Sequence, residues 1–169
     1  KNFELLIRLW ARLAPSFPDW ELYIVGDGKM RAELTALVTS LGLTGSITLA
    51  TPTHQMQEVY RSSSVYAMTS RYEGLPMVLL EAQQMGLPIV SFACPCGPRD
   101  VITDGRDGFL IELGDEERFV AGLSRLMSDE ELRQRMGAEA RQASLRYTVD
   151  QVMAQWIELF EGLYKGTSK

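Results

Sequence analysis

The chain has 169 residues, a length typical of one domain with a substantial core. Apolar residues make up 46% and charged residues 23% of the sequence, which are ordinary globular values. The net charge of −5 argues against extended nucleic-acid binding, and no apolar run approaches the ~18 residues of a membrane span. Cys94 and Cys96 have no further Cys or His nearby, which excludes a structural zinc site and favours free thiols in a reducing cytoplasm.

Hydrophobic periodicity predicts alternating helices and strands along the chain. A helix is predicted over residues 3–14, and the short apolar run Leu22–Val25 is predicted as a strand that ends in a Gly26-Asp27-Gly28 turn. A second helix, over 29–41, is expected to stop at Gly42. The later predictions are strands at 47–50, 65–68, 89–92 and 109–113, helices at 55–62 and from Pro76 to Gly86, a short helical stretch after Gly97-Pro98, and only helices from 116 onward.

Short apolar strands separated by helices predict a parallel sheet that is covered by helices on both faces. In such α/β sheets, ligands bind at the carboxyl ends of the strands. Gly26 and Glu73 each follow the end of a predicted strand. We therefore expect both residues on the same rim of the sheet.

Two glutamates, Glu73 and Glu81, surround a Gly-Leu-Pro turn that opens a helix. Pro76 is predicted at the first helical position, where its fixed φ helps and its missing N–H costs nothing. The free amides of this turn and the positive end of the helix form an anion site that a diphosphate would fill. Glu81, roughly 7 Å along the helix axis, can accept hydroxyls on one side of the diphosphate, and Glu73 can do so on the other. That is the geometry of a socket for a nucleotide-sugar.

The segment resembles the donor-binding half of the GT-B glycosyltransferases, in particular the large retaining "group 1" family that uses nucleotide-diphospho-sugars. The resemblance covers nearly the whole chain. It rests on four further motifs in family order and spacing: Trp20–Gly28, Val65–Ser70, Gly86–Ser91 and Gly97–Ile102. It implies one Rossmann-like donor domain over residues 1–169 with a helical C-terminal part over 116–169, and an acceptor domain and first strand upstream.

The resemblance also implies an activity. The full enzyme would move a hexosyl unit from a nucleotide-diphospho-sugar to an acceptor hydroxyl in glycan, polysaccharide or lipopolysaccharide biosynthesis, with retention and with neither metal nor cofactor. Glu73 would be catalytic. The residues implied to hold the donor are Lys1, Gly26, Gly74, Leu75, Pro76, Met77, Val78 and Glu81. The resemblance allows peripheral association of the full-length enzyme with the inner face of the membrane, and the isolated fragment is expected to be inactive.

The Gly26-Asp27-Gly28 turn also fits the opening of a dinucleotide-binding fingerprint. Arg31 occupies the third glycine position of that fingerprint, and no acidic residue follows the next predicted strand, which ends in Ala50-Thr51-Pro52. These departures disfavour a nicotinamide or flavin site.

Simpler interpretations of the singled-out residues remain open. Glu73 could cap the following helix. Glu81 could be a solvent-facing charge, although its apolar neighbours favour a partly buried carboxylate. Arg99 and Asp100 are expected to pair with each other, and His54 is expected to be a surface-loop residue.

The sequence also allows two answers for the packing of the last helix and for the function. The apolar face of the last helix, over 149–164, packs by default on the domain's own core, whereas the resemblance places it on the acceptor domain. The functional alternatives are another GT-B enzyme, such as a nucleotide-sugar epimerase, and a non-catalytic nucleotide-sugar-binding module.

Overall fold

The computed structural model describes residues 1–166 and confirms the predicted alternation of helices and strands. Strands β1, β2 and β4 have the predicted bounds, and the bounds of the other predicted elements differ by at most two residues. In chain order the elements are α1 Phe3–Leu13, a 3-10 turn Ala14–Ser16, β1 Leu22–Val25, α2 Arg31–Ser40, β2 Ile47–Ala50, α3 Met56–Ser62, β3 Tyr66–Met68, α4 Met77–Gln84, β4 Ile89–Phe92, α5 Pro98–Val101, β5 Gly108–Ile111, α6 Glu116–Ser128, α7 Glu130–Ser144, a 3-10 turn Leu145–Tyr147, and α8 Val149–Gly166.

All strand pairs are parallel, as predicted. The strands fall into two hydrogen-bonded groups, β1 with β2 and β3-β4-β5 in that order. One hydrophobic core nevertheless unites residues of both groups, including Ile24 of β1, Ile47 of β2 and Phe92 of β4. The two strand groups therefore share one apolar core.

Strand β4 shows why helices cover both faces. All four of its residues are buried. Val90 and Phe92 pack in the core that contains α1 and α6, whereas Ile89 packs in a second cluster with Leu79 of α4. Since successive side chains of a strand point to opposite faces, each face carries its own apolar layer.

Helix α7 returns the C-terminal part of the chain to the α4 side of the domain. It approaches α4 so closely that a Cβ at Gly137 would lie 2.2 Å from the carbonyl oxygen of Gly86. This close approach fixes the C-terminal end of α4, the helix that carries Glu81.

Helix α8 differs from the default expectation. Its apolar side chains do not pack on the domain's core, and Met153, Trp156, Ile157 and Phe160 are each about half exposed. The default prediction that this face packs on the domain itself is therefore wrong. None of the helices within residues 1–166 is long and apolar enough to cross a membrane. The predicted helical part over 116–169 is confirmed up to 166, and its last three residues lie outside the described part.

Candidate functional site

The helix after the first glutamate begins at Met77, one residue later than predicted. Pro76 is the N-cap, with φ −75° and ψ 90°. Its carbonyl already accepts a hydrogen bond from the Leu79 amide at 2.9 Å, whereas its own ψ is extended. Pro76 therefore ends the loop, and the prediction that it opens the helix is wrong by one position.

The loop over residues 73–78, named the donor loop after its predicted role, presents unpaired backbone amides. Within the described residues, the N–H groups of Gly74, Leu75, Met77 and Val78 donate to no protein acceptor. Gly74, Leu75 and Met77 are exposed, so their amides are accessible. Free amides at a helix start, together with the helix dipole, favour an anion.

A second loop, Pro95–Gly97 after β4, supports the donor loop from behind. The Glu73 amide donates to the Pro95 carbonyl at 3.4 Å. Gly97 has φ +81°, and a Cβ there would lie 2.3 Å from both the Gly74 carbonyl oxygen and the Pro76 Cδ. Only glycine satisfies this backbone angle and this spacing. The sequence marked Gly97 as the start of the Gly97–Ile102 motif, but not as a contact of the donor loop.

Glu73 forms an ion pair with Lys1, whose Nζ lies 2.5 Å from Oε1. The Glu73 side chain is 11% exposed and that of Lys1 50%. Burial opposes ionisation of Glu73, but the Lys1 hydrogen bond, the nearby Ser70 hydroxyl and the Lys1 charge outweigh it and lower the pKa of Glu73. Glu73 is thus a carboxylate near neutral pH.

The alternative role of Glu73 as a helix cap is wrong. The N-cap position of α4 belongs to Pro76, and no side chain caps this helix. The carboxylate of Glu73 is instead directed to Lys1. Glu73 therefore forms an ion pair at the rim of the sheet and does not cap α4.

Backbone geometry brings Lys1 to this rim. Asn2 adopts φ 60° and ψ 43°. Asparagine is among the few residues that tolerate this left-handed conformation. The Thr69 hydroxyl donates to the Asn2 carbonyl at 3.0 Å and so ties the start of α1 to the end of β3.

Glu81 lies in the middle of α4, as predicted, but it is exposed. The expectation of a partly buried carboxylate is therefore wrong, because the apolar residues beside it turn to the other side of the helix and pack in the core. Its Oε2 accepts a hydrogen bond from the Tyr60 hydroxyl at 2.8 Å. Sequence reasoning missed Tyr60, which lies 21 positions away.

Gly26 lines a cavity of about 510 Å³ together with Lys1, but neither Glu73 nor Glu81 lines it. Arg31 fixes the turn at this cavity, since its guanidinium donates to the Leu49 carbonyl at 2.8 Å and to the Gly26 carbonyl at 3.2 Å. Arg31, which departs from the dinucleotide fingerprint, therefore links the ends of β1 and β2 by hydrogen bonds.

Three further expectations have clear outcomes. Arg99 does not pair with Asp100; it binds both carboxylate oxygens of Glu112, at 2.8 and 2.9 Å. His54 is an exposed loop residue, as expected. Cys94 is buried, Cys96 is exposed, and both are free thiols. Among residues 1–166, no three His, Cys, Asp or Glu side chains cluster as metal ligands would.

Comparison with known proteins decides the family. The sequence model of the glycosyl transferases group 1 family matches residues 1–143. The chain belongs to this family. The amylovoran biosynthesis glycosyltransferase AmsD of Erwinia amylovora is 39% identical to this group 1 chain over 159 residues. That alignment covers 94% of this chain and 44% of AmsD, so the chain spans less than half the length of that relative.

Solved structures show the same fold. TarM of S. aureus, a mutant in complex with fondaparinux, alpha-GlcNAc-glycerol and UDP, superposes with a TM-score of 0.90 at 24% identity, over 95% of this chain and 33% of TarM. The C-terminal domain of the group 1 protein LpcC from Francisella tularensis superposes with a TM-score of 0.79 at 20% identity, over 88% of this chain and 80% of that domain. The predicted Rossmann-like fold of GT-B glycosyltransferases is thereby confirmed.

Proposed function

We propose that this chain is the donor-binding half of a glycosyltransferase that moves a hexosyl unit from a nucleotide-diphospho-sugar to an acceptor hydroxyl. The observation that carries the proposal is the donor loop, whose free amides lie between two glutamates. Membership of the group 1 family supports the reaction class. The UDP in the TarM complex supports a nucleotide diphosphate as the donor's leaving group.

Each part of the site has a separate role in this proposal. The free amides of the donor loop and the Lys1 ammonium would hold the diphosphate and stabilise its charge as it leaves. Glu81 would accept the ribose hydroxyls on one side, and Glu73 would contact the transferred sugar on the other. With these groups, leaving-group stabilisation would need neither metal nor cofactor. Retention of configuration belongs to the proposal as well.

The ion pair places Lys1, proposed to bind the diphosphate, directly beside Glu73, proposed to contact the transferred sugar. Lys1 is half exposed, so its ammonium can turn toward an arriving diphosphate while Glu73 stays in place. An ionised Glu73 beside the reacting carbon would stabilise the positive charge that develops there.

We further propose that the acceptor-binding domain and the first strand lie upstream of this chain in the whole protein. The chain covers only 44% of AmsD, and the superposed LpcC domain is the C-terminal domain of its protein. The exposed face of α8 would dock on that upstream half. The whole enzyme would act in the cytoplasm, at the inner face of the membrane, on glycans such as polysaccharide or lipopolysaccharide.

Nucleotide binding tests this function directly. Calorimetry with UDP, GDP, ADP and their sugars on the full-length enzyme should identify one nucleotide family that binds. Glu81→Gln should weaken the bare nucleotide and its sugar to similar degrees, by about 1.5–3 kcal/mol, because both carry the ribose. Weakening of the sugar-bearing donor alone would contradict the ribose assignment. The isolated chain should transfer no sugar, because catalysis needs both substrates held together.

A further inference from the structure

Tyr60 reaches the candidate donor site from the neighbouring helix α3. Its side chain is 5% exposed and packs among apolar residues that include Met68 and Leu79. The ring also lies 6.0 Å from that of Tyr66. Because the ring is held by packing, the position of its hydroxyl is fixed by the core rather than by solvent.

The hydroxyl of this buried ring contacts the exposed carboxylate of Glu81. Tyr60 donates to Oε2 of Glu81 at 2.8 Å. In the described part of the chain, Oε1 accepts no hydrogen bond, and Glu81 has no cationic partner. One oxygen is thus held by the protein and the other is open. Glu81 differs in this respect from Glu73, which is paired with Lys1.

The bond has a fixed direction. Burial raises the pKa of Tyr60 far above its ordinary value, and the hydrogen bond to Glu81 raises it further. Tyr60 therefore stays protonated near neutral pH and acts only as a donor to the carboxylate. A free glutamate on a helix surface samples several rotamers, and ordering it on ligand binding costs entropy. A rigid donor at Oε2 removes part of that cost in advance.

We propose that Tyr60 is a positioning residue that holds Glu81 with its second oxygen directed to a ribose hydroxyl of the donor, an inference that rests on the proposed function. Tyr60 itself does not touch the nucleotide in this arrangement. Its effect passes through Glu81 and is confined to the recognition of ribose hydroxyls.

The test compares nucleotides with and without those hydroxyls. UDP, GDP and ADP, each beside its 2′,3′-dideoxy counterpart, are titrated into the full-length enzyme by calorimetry. Tyr60→Phe keeps the ring and removes only the hydroxyl. It should weaken the ribonucleotide about three- to tenfold and change the dideoxy nucleotide by less than about twofold. The double variant with Glu81→Gln should bind no more weakly than Glu81→Gln alone, since the two residues act as one unit.

Tyr147→Phe is the matched control. It also removes one hydroxyl, which donates to the Asp100 carbonyl at 2.7 Å and not to Glu81. It should leave the preference for ribose unchanged. If Tyr60→Phe lowers only the melting temperature, or weakens both nucleotides equally, Tyr60 merely fills the core and the proposal is wrong.

The Glu81→Gln variant distinguishes the role of Tyr60 from the binding of ribose by Glu81. If that variant loses the ribose preference and Tyr60→Phe retains it, the role of Tyr60 is overturned and the proposed function stands. If Glu81→Gln itself retains the ribose preference, Glu81 does not bind ribose, and both the assignment and the role of Tyr60 are wrong.

Discussion

At the scale of single residues, the pair formed by Lys1 and Glu73 joins side chains that are 72 positions apart in sequence. The carboxylate is largely buried, yet it is stabilised as an anion by the lysine. A buried charge with one specific partner at the rim of a parallel sheet is the type of group that functional sites use. Its contributions to catalysis and to stability can be measured separately.

Replacing Glu73 by Gln tests its catalytic role. The change preserves the shape and removes the charge near the reacting carbon, so turnover of the full-length enzyme should fall far more than affinity for the bare nucleotide diphosphate. Turnover and nucleotide binding are measured side by side. Glu139→Gln, which breaks the ion pair with Arg106 on the surface, is the control and should leave turnover intact. Unchanged turnover in a stable Glu73→Gln enzyme would rule out the catalytic role.

The pH dependence of stability tests the same ion pair. The pKa of Glu73 is lowered in the folded state, so its stabilising contribution is fully present above the ordinary glutamate pKa of about 4.3. It is lost as the pH falls through the lower folded-state value. Urea unfolding of the wild type and Glu73→Gln should therefore differ most near neutral pH and converge in acid. Lys1 lowers the pKa of Glu73, whereas burial raises it. In Lys1→Met the lowering effect of the lysine is absent, so the pKa of Glu73 should rise. A constant difference at all pH values would contradict this account.

At the scale of elements, the loop after β4 shapes the donor loop by direct contact. Gly97 lies against Gly74 and Pro76, and no space remains between them for a side chain. The amides of the donor loop owe their orientation to this neighbour as much as to helix α4. A small change in the supporting loop should therefore alter anion binding without touching a ligand.

Gly97→Ala tests this support, with Gly105→Ala as its control. Both glycines have positive φ, +81° and +75°, so both substitutions strain the backbone. A Cβ at Gly105 has nothing within 4 Å, whereas one at Gly97 meets the donor loop. Only Gly97→Ala should also weaken binding of the nucleotide diphosphate, measured by calorimetry. Equal affinities in the two variants would show that the contact does not shape the anion site.

At the scale of the whole molecule, the domain leaves one helix face uncovered. Trp156 and Phe160 stack on α8 with ring centroids 5.5 Å apart, and both are about half exposed. Exposed apolar patches of this kind mark interaction surfaces. This face of α8 would pack against the proposed upstream half of the enzyme.

Trp156→Ser tests the docking of α8. If the face packs on the upstream half, the full-length enzyme should lose about 3 kcal/mol or more of stability. The isolated chain should change little, because Trp156 makes few buried contacts there. Thermal unfolding of both forms is compared with Gln155→Ser, an exposed neighbour on the same helix. Equal losses in the two forms would place the packing partner of Trp156 within this chain.

The sequence by itself determined the order of the elements, the parallel α/β fold and the loop between the two glutamates, because these depend on local periodicity and turn chemistry. Only the tertiary structure decided that Lys1 pairs with Glu73, that Tyr60 holds Glu81, and that α8 lies uncovered. Those features join side chains distant in sequence, or depend on which face of a helix finds a partner. Packing settles such contacts, and a linear pattern does not contain them.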